Sequence, residues 1–438
     1  MSATIFALST PPGISAVSII RISGPDSFRA VGRLLGLKKP FKPIFSQIRK
    51  VHLRKIFSIE GRLLDEGLVI FFEKGRSFTG EDMSELQLHG SHIVVRTVLE
   101  SLSSLGYVRL ARPGEFTKQA LENNKLSIFE VEGLSDLLVA ETEAQQEQAL
   151  NIYSGSLSKK VNGWKERTTK ILSSVEASID FSDEVNSDSL VNGVVHDLKI
   201  LETELMEEKE GFKSAESIRG GFEVALVGKP NVGKSTLLNG LAKRKLAITS
   251  EITGTTRDII ELRYNLDGLP VTFLDTAGVR HTDDEIEKIG VSNSIDRVNN
   301  SDVRVFLTND KEEIRSFGVK YVKSDIVLRP KGDLPGSEPS ISGKTGKGFE
   351  DLLETLKKIF ADKVRKASNI TRTRHLEKIT FCLDHLRTIQ VYIEEKNYED
   401  EIIAEELRTI LRKFDGLLGG VNTEEILGEI FNSFCIGK

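Results

Sequence analysis

Gly228-Lys229-Pro230-Asn231-Val232-Gly233-Lys234-Ser235 has the spacing G-x-x-x-x-G-K-[ST] of a phosphate-binding loop. The apolar run Phe222 to Val227 precedes it and reads as a strand, and Ser235 to Leu241 follows and reads as a helix. Glycines let a backbone wrap close to phosphate, and amide N–H groups at the helix start supply the positive end of its dipole. Gly228, Asn231, Val232, Gly233, Lys234, Ser235 and Thr236 are therefore assigned to nucleotide binding. Lys234 would reach the β- and γ-phosphates as a catalytic cation, and the Ser235 hydroxyl would ligate Mg²⁺. A glycine-rich turn without a ligand is the plainer alternative, but it has no need of both flanking elements in register.

The residues downstream extend this site. Asp275-Thr276-Ala277-Gly278 follows the apolar strand Val271 to Leu274, where enzymes with such a loop place the acidic group that supports Mg²⁺. Between the two motifs lies Gly254-Thr255-Thr256-Arg257-Asp258, whose Thr256 is assigned to complete the Mg²⁺ shell and to act in catalysis. Lys331-Gly332-Asp333 and Ser342-Gly343-Lys344 come last. Asp333 would accept hydrogen bonds from the guanine N1–H and exocyclic amine, groups that adenine does not present, so the expected nucleotide is GTP. Order and spacing resemble the translation-factor-like GTPases. Their guanine-recognition pattern is Asn-Lys-x-Asp, and its first position is here Pro330.

Ras-like enzymes orient the attacking water with a glutamine directly after Asp-x-x-Gly, and that position is here Val279. The acidic segment Asp283-Asp284-Glu285-Ile286-Glu287 lies just beyond it and reads either as a charged switch loop or as a source of the missing group. Asn231, the segment Thr249 to Asp258 and the valine after Asp-Thr-Ala-Gly together resemble the potassium-activated GTPases. That resemblance implies K⁺ held by Asn231 and by the carbonyls of Ser250, Ile252 and Thr255, with Glu287 positioning water.

The chain has 438 residues, 39% hydrophobic and 29% charged, which implies two or three globular domains. A net charge of −5 argues against sequence-blind coating of nucleic acid. The basic run with Lys38, Lys39, Lys42, Arg49, Lys50, Arg54 and Lys55 reads as a solvated face, or else as an RNA contact. Two distant cysteines, Cys382 and Cys435, exclude a disulfide framework and suit a reducing compartment. No leader-like N-terminus and no spanning apolar stretch is present, so a cytoplasmic protein without a membrane contact is expected.

Residues 1–118 mix short strands (Val17 to Ile22, Gly67 to Phe72) with helix (Ile93 to Leu105), as an α+β domain would. From 119 to 215 the period becomes helical, with Leu157, Val161, Trp164, Thr168, Ile171, Val175 and Ile179 on one face. Residues 216–361 alternate strand and helix as parallel α/β folds do. From 362 to 438 helical spacing returns, through Leu376, Ile379, Leu383, Leu386 and Ile393, then Ile403, Leu407, Ile410 and Phe414. The expected architecture is an N-terminal α+β domain, a discontinuous all-α helical domain and an inserted Ras-like α/β P-loop GTPase domain.

Segments that a phosphate-binding fold does not need narrow the reading: Thr10 to Gly13, Arg21 to Gly24, Phe78 to Asp82, Glu85 to Gly90, Ala111 to Phe116 and the terminal Phe434-Cys435-Ile436-Gly437-Lys438. With the motifs above, these resemble the MnmE (TrmE) family of tRNA modification GTPases over essentially the whole chain. The resemblance implies that residues 1–118 dimerise and bind a tetrahydrofolate one-carbon donor (formyl or methylene) through Arg21, Glu85, Lys125 and Lys438. It further implies a homodimer that joins an FAD- and NADH-dependent flavoprotein, MnmG (GidA), in a heterotetramer. Together they would add a carboxymethylaminomethyl or aminomethyl group to the wobble uridine of certain tRNAs. Cys435 reads as a reactive tail thiol or as an inert buried one. The segment Phe306 to Ile326 looks divergent and short. The rival readings are a GTPase switch in RNA binding or ribosome assembly, for which no KH-type loop is found beyond residue 361, and a folate-dependent transferase whose GTPase only regulates.

Overall fold

The computed structural model describes residues 3–39, 41–44, 47–180, 187–244, 260–275, 295–336, 338–395, 400–419, 428 and 437. It divides into two compact units, Met1–Ser135 with Tyr153–Ser158 and Asp415–Lys438, and Asp136–Ile152 with Lys159–Phe414.

The first unit is built on a six-stranded sheet of β1 (Thr4–Leu8), β2 (Ser15–Ser23), β3 (Val51–Phe57), β4 (Leu63–Phe72), β5 (Met83–Gly90) and β6 (Val108–Leu110), in the order β3-β4-β5-β2-β1-β6. All pairs are antiparallel except β1 with β6. Alternation along the strands sends Phe6, Ile20, Ile22, Val69, Phe71, Leu86 and Leu88 to one face. There they pack with α1 (Ser27–Leu34) and α2 (His92–Ser103) through Phe28, Val31, Val98 and Leu102. The opposite face carries the rows Leu53–Leu68–Gln87–Ile19 and Val51–Ile70–Glu85–Arg21, and is far less covered. Next come α3 (Glu115–Glu122) and α4 (Ile128–Val139), whose Val131 and Leu134 pack with Phe78, Leu121 and Tyr153.

The second unit holds a five-stranded sheet of β7 (Phe222–Val227), β8 (Ile260–Leu266), β9 (Leu269–Asp275), β10 (Val303–Leu307) and β11 (Ile326–Leu328), in the order β11-β10-β7-β9-β8. Only the β8–β9 pair is antiparallel. Its connection is Asp267-Gly268, with φ of 48° and 87°. A two-residue hairpin turn of that hand demands positive φ at both positions, and Asp-Gly supplies it at little cost. The sheet is covered by the helices α8 (Lys234–Ala242) and α9 (Phe349–Arg365), with Leu237, Leu241, Leu352, Leu356 and Phe360 in the core.

Long helices flank this sheet in sequence: α5 (Glu143–Tyr153), α6 (Ser156–Asp180) and α7 (Ser187–Gly220) before it, α10 (Thr373–Glu395) and α11 (Asp400–Leu418) after it. In α6 Val161, Trp164, Thr168, Ile171 and Val175 are buried, as period 3.6 requires of one face. Trp164 meets Phe414 of α11 at 6.0 Å between ring centroids, and Gln390 of α10 donates to Glu202 of α7 at 2.7 Å. Helices from both sides of the α/β segment thus bury each other's apolar stripes. Cys382 of α10 lies in this core, and burial pushes its thiol up to about 12, which keeps it an unreactive thiol.

Candidate functional site

Register creates the phosphate end of the site. β7 and β9 run parallel with Leu226 opposite Asp275, so the aspartate at the end of β9 stands beside the loop that leaves β7. The Ser235 hydroxyl, at the start of α8, donates to Asp275 Oδ2 at 2.7 Å across 40 residues of sequence. Two hard oxygen donors, one on the phosphate loop and one on the adjacent strand end, suit Mg²⁺ with its remaining positions taken by water or phosphate. Lys234 is only 6% exposed, and its ammonium donates to the carbonyls of Gly228 at 2.7 Å and Lys229 at 3.2 Å. Burial holds that ammonium below the usual lysine range, with the Asp275 carboxylate pulling the other way. Asn231 takes φ of 58°, a left-handed conformation that asparagine tolerates, and Gly233 takes 115°.

The base end is a cavity of about 250 Å³ lined by Thr236, Pro330, Lys331, Asp333, Ser342 and Lys344, among others. Ser342 donates its hydroxyl to Asp333 Oδ1 at 2.7 Å, which aims the carboxylate and keeps it below the usual carboxylate range. The loop after β11 is stitched to the segment 339–343: Arg329 N–H donates to Pro339 O at 3.0 Å, Ile341 N–H to Arg329 O at 2.8 Å and Gly332 N–H to Ile341 O at 2.9 Å. Gly343 lies so close to α8 that a Cβ there would stand 2.5 Å from Leu237 N, so only glycine lets this segment approach the phosphate loop. The cavity thus lies at the carboxyl ends of the parallel strands, where ligands bind in open α/β sheets.

A further brace was not legible beforehand. Lys229 of the phosphate loop pairs with Glu313, which also accepts from Thr308 Oγ1 at 2.5 Å. Glu313 lies in a 3₁₀ segment, Lys311–Phe317, inside the stretch Phe306 to Ile326. That stretch is anchored by Arg304 and Asp325, both buried, at 3.0 Å.

The second cluster is in the first unit. Arg21 and Glu85 face each other across β2 and β5 and bond at 2.9 and 3.0 Å. The Arg21 guanidinium stands over the rings of Phe78, at 5.5 Å, and Phe116, at 5.8 Å. These rings come from two of the motifs above, and their convergence on Arg21 is a product of the fold. Behind them the Ser23 hydroxyl meets Thr79 at 2.7 Å and Gln119 at 2.8 Å. Lys125 Nζ donates to Gly75 O at 2.5 Å, on the same loop as Phe78. Gly437 reaches the end of β1, where Ser9, the residue after the strand, donates its Oγ–H to the Gly437 carbonyl at 3.2 Å. The guanidinium, the carboxylate and Phe78 are partly exposed, whereas Phe116 is fully buried beneath them.

Several expected site residues lie outside the described residues: Ser250, Ile252, Thr255, Thr256, Thr276, Ala277, Gly278, Glu287, Cys435 and Lys438. Among the described residues no cluster of three or more His, Cys, Asp or Glu side chains is arranged for a metal. No helix among them is long and apolar enough to cross a membrane.

Comparison with known proteins shows the family. The model of the "MnmE helical domain" matches residues 128–435, and that of the "GTP-binding protein TrmE N-terminus" matches residues 4–125. The tRNA modification GTPase MnmE of Roseobacter denitrificans is 44% identical over 438 residues, covering 99% of this chain and 100% of that protein. The one from Jannaschia is 45% identical over 441 residues, with the same coverage. Among solved structures, Aquifex aeolicus Era bound to GDP.AlF4- is 28% identical over 31% of this chain and 56% of that one, at a TM-score of 0.25.

Proposed function

Because the chain belongs to the family of tRNA modification GTPases called MnmE, we propose that it hydrolyses GTP to drive modification of the wobble uridine of certain tRNAs. The observation that carries this reading is the Ser235–Asp275 contact beside Lys234, with the Asp333–Ser342 pair at the other end of the same cleft. Asp333 accepts from the guanine N1–H and amine, and the loop amides and Lys234 hold the phosphates. Ser235 and Thr256 would hold Mg²⁺, with Asp275 supporting it through Ser235, and the ion would supply Lewis-acid stabilisation of the phosphates. Asn231 and the carbonyls of Ser250, Ile252 and Thr255 would hold K⁺, and Glu287 would orient water. The folate one-carbon donor binds at Arg21, Glu85, Lys125 and Lys438, where the guanidinium and the carboxylate offer hydrogen-bonding groups to a pterin. The flavoprotein MnmG supplies the redox chemistry in a heterotetramer, and the whole acts in the cytoplasm.

Two variants separate this reading from its rivals. Arg21→Ala is expected to weaken tetrahydrofolate binding ~10-fold or more, by loss of a charge-assisted and cation–π contact, with GTP turnover unchanged. Asp275→Asn should lower GTP hydrolysis ~100-fold and leave folate affinity intact, and tRNA modification should fail in both. Modification surviving in Asp275→Asn would move the assignment to a transferase with a regulatory GTPase. Normal modification in Arg21→Ala would remove the folate site from the mechanism.

The homodimer is supported by the less covered face of the first sheet, the face that carries Arg21, where Val17 on β2 and Val51 and Leu53 on β3 remain 49, 57 and 59% exposed. Large apolar side chains gathered on one sheet face mark an interaction surface. The double variant Val51→Asp, Leu53→Asp is expected to raise the dimer dissociation constant ~100-fold or more. A sedimentation profile identical to that of the wild type would exclude this face as the interface.

A further inference from the structure

We infer that the edge of the first sheet at β3 is a docking surface for the phosphate backbone of the tRNA substrate. The inference rests on the reading that this chain acts on tRNA. Residues 35–59 hold the basic run from Lys38 to Lys55 and contain no Asp or Glu. Every lysine and arginine of the run is exposed. Elsewhere in this unit exposed cations meet carboxylates: Arg29 with Asp26 at 3.2 Å, Arg76 with Glu73 at 3.3 Å and Lys74 with Glu81 at 3.4 Å. Among the described residues no carboxylate pairs with a cation of the run. Arg49 and Arg54 donate instead to carbonyls, Arg76 O at 3.1 Å and Leu53 O at 2.9 Å, which leaves their charge uncancelled.

The fold gathers these charges on one rim. β3 is the outermost strand of its sheet, and the connection that follows α1 returns along it. Gly36 lies against Phe57, the last residue of β3, where a Cβ would stand 3.6 Å from the ring. Phe41 packs on Phe71 at 5.4 Å between ring centroids, and Phe71 O accepts from Arg49 N–H at 2.8 Å just before β3 begins. Residues 37–42 therefore traverse the length of β3 in the opposite direction, and bring Lys38, Lys39 and Lys42 beside Lys50 and Arg54. Alternation puts Arg54 on the face that carries the helices and Lys55 on the other, so the rim is positive on both sides. Lysine on an edge strand also blocks edge-to-edge pairing. That purpose does not exclude carboxylates from the run, whereas a polyanionic partner does. A chain of net charge −5 repels a polyanion as a whole, so an unpaired positive rim fixes where on the molecule it can land. Three strand spacings, roughly 14 Å, separate β3 from β2 and its Arg21, which keeps RNA on the rim close to the second cluster.

The test titrates fluorescently labelled tRNA with the full-length wild type and with a rim variant, Lys38→Gln, Lys39→Gln, Lys42→Gln, Lys50→Gln, Arg54→Gln, between about 50 and 200 mM salt. At the low end the variant should bind roughly 100-fold or more weakly. Its slope of log affinity against log salt should be shallower by about four, because each lost phosphate contact removes ~0.7 to 0.9. GTP turnover and tetrahydrofolate affinity should not change, since these side chains belong to neither site. Should that variant not fold, the pair Lys50→Gln, Arg54→Gln should cost roughly tenfold and about 1.5 in slope. A control changes Lys159, Lys199, Lys320, Lys323 and Lys358 of the second unit, all exposed, to Gln. It should stay within about threefold of the wild type. A loss equal to that of the rim variant would make the effect one of net charge and overturn the site. A rim variant equal to the wild type in affinity and slope also overturns the inference and leaves the rim a solvated guard of the sheet edge. Polyglutamate, offered in place of tRNA, tests for an acidic protein partner. Its binding lost from the rim variant while tRNA binding survives overturns the inference in favour of such a partner. A wild type that binds no tRNA overturns the functional reading as well.

Discussion

Lys234→Ala is expected to lower single-turnover GTP hydrolysis by ~10³-fold, the upper end for removal of one preorganised charge from an active site. Lys234 is almost fully enclosed, and two loop carbonyls, those of Gly228 and Lys229, hold its ammonium over the place that the phosphates would occupy. A cation kept in such surroundings needs no reorganisation when charge develops on the transferred group. It also acts in a medium where Coulomb interactions are less screened than in water. The packing of α8 depends on Leu237, Leu238 and Leu241, not on Lys234, so the melting temperature should hardly move. Hydrolysis within about tenfold of the wild type would show that the charge is not used in the transition state. A large fall in melting temperature would instead make Lys234 a structural brace for the loop.

Potassium in place of sodium, at equal ionic strength, should raise steady-state GTP turnover ~10²-fold or more, on the scale of a charge supplied at the β–γ bridge. The effect should vanish when the Asn231 side chain is removed. Asn231→Gly is the cleaner variant beside Asn231→Ala. At φ of 58° alanine would add backbone strain of about 1 kcal/mol, which glycine avoids. Strong stimulation by K⁺, lost in both variants, supports an ion doing the work of an arginine finger. Equal rates in the two salts would sink that mechanism and leave a GTPase that waits for an activator in trans. In that case the switch-type reading would gain.

Lys234 and Asn231 were both legible in the sequence. Both residues sit in eight consecutive positions whose spacing is itself the signal, because a loop that wraps phosphate must be built from neighbours in the chain. The same holds for the apolar stripe through Val161, Trp164, Thr168 and Ile171. In each, the geometry is set by dihedral preference or by helical period, and both are local properties. The architecture of three kinds of domain was legible for this reason.

Contacts between distant segments were not legible in that way. Asp275 stands next to Ser235 only because β7 and β9 pair with Leu226 opposite Asp275, and no local rule sets that register. Phe78 and Phe116 flank Arg21 because strand alternation and the docking of α3 bring three separate motifs to one point. The Lys229–Glu313 brace joins the phosphate loop to a stretch in which no motif points to it. The basic run was visible as charge alone. That Lys38, Lys39 and Lys42 come alongside β3 is decided by the packing of Gly36 on Phe57 and of Phe41 on Phe71. The sequence by itself determined the chemistry available, the elements and the order of the domains, because these follow from residue type and short-range geometry. Tertiary structure alone decided which groups meet and which charges remain unpaired, because those depend on long-range packing of surfaces that the chain order does not specify.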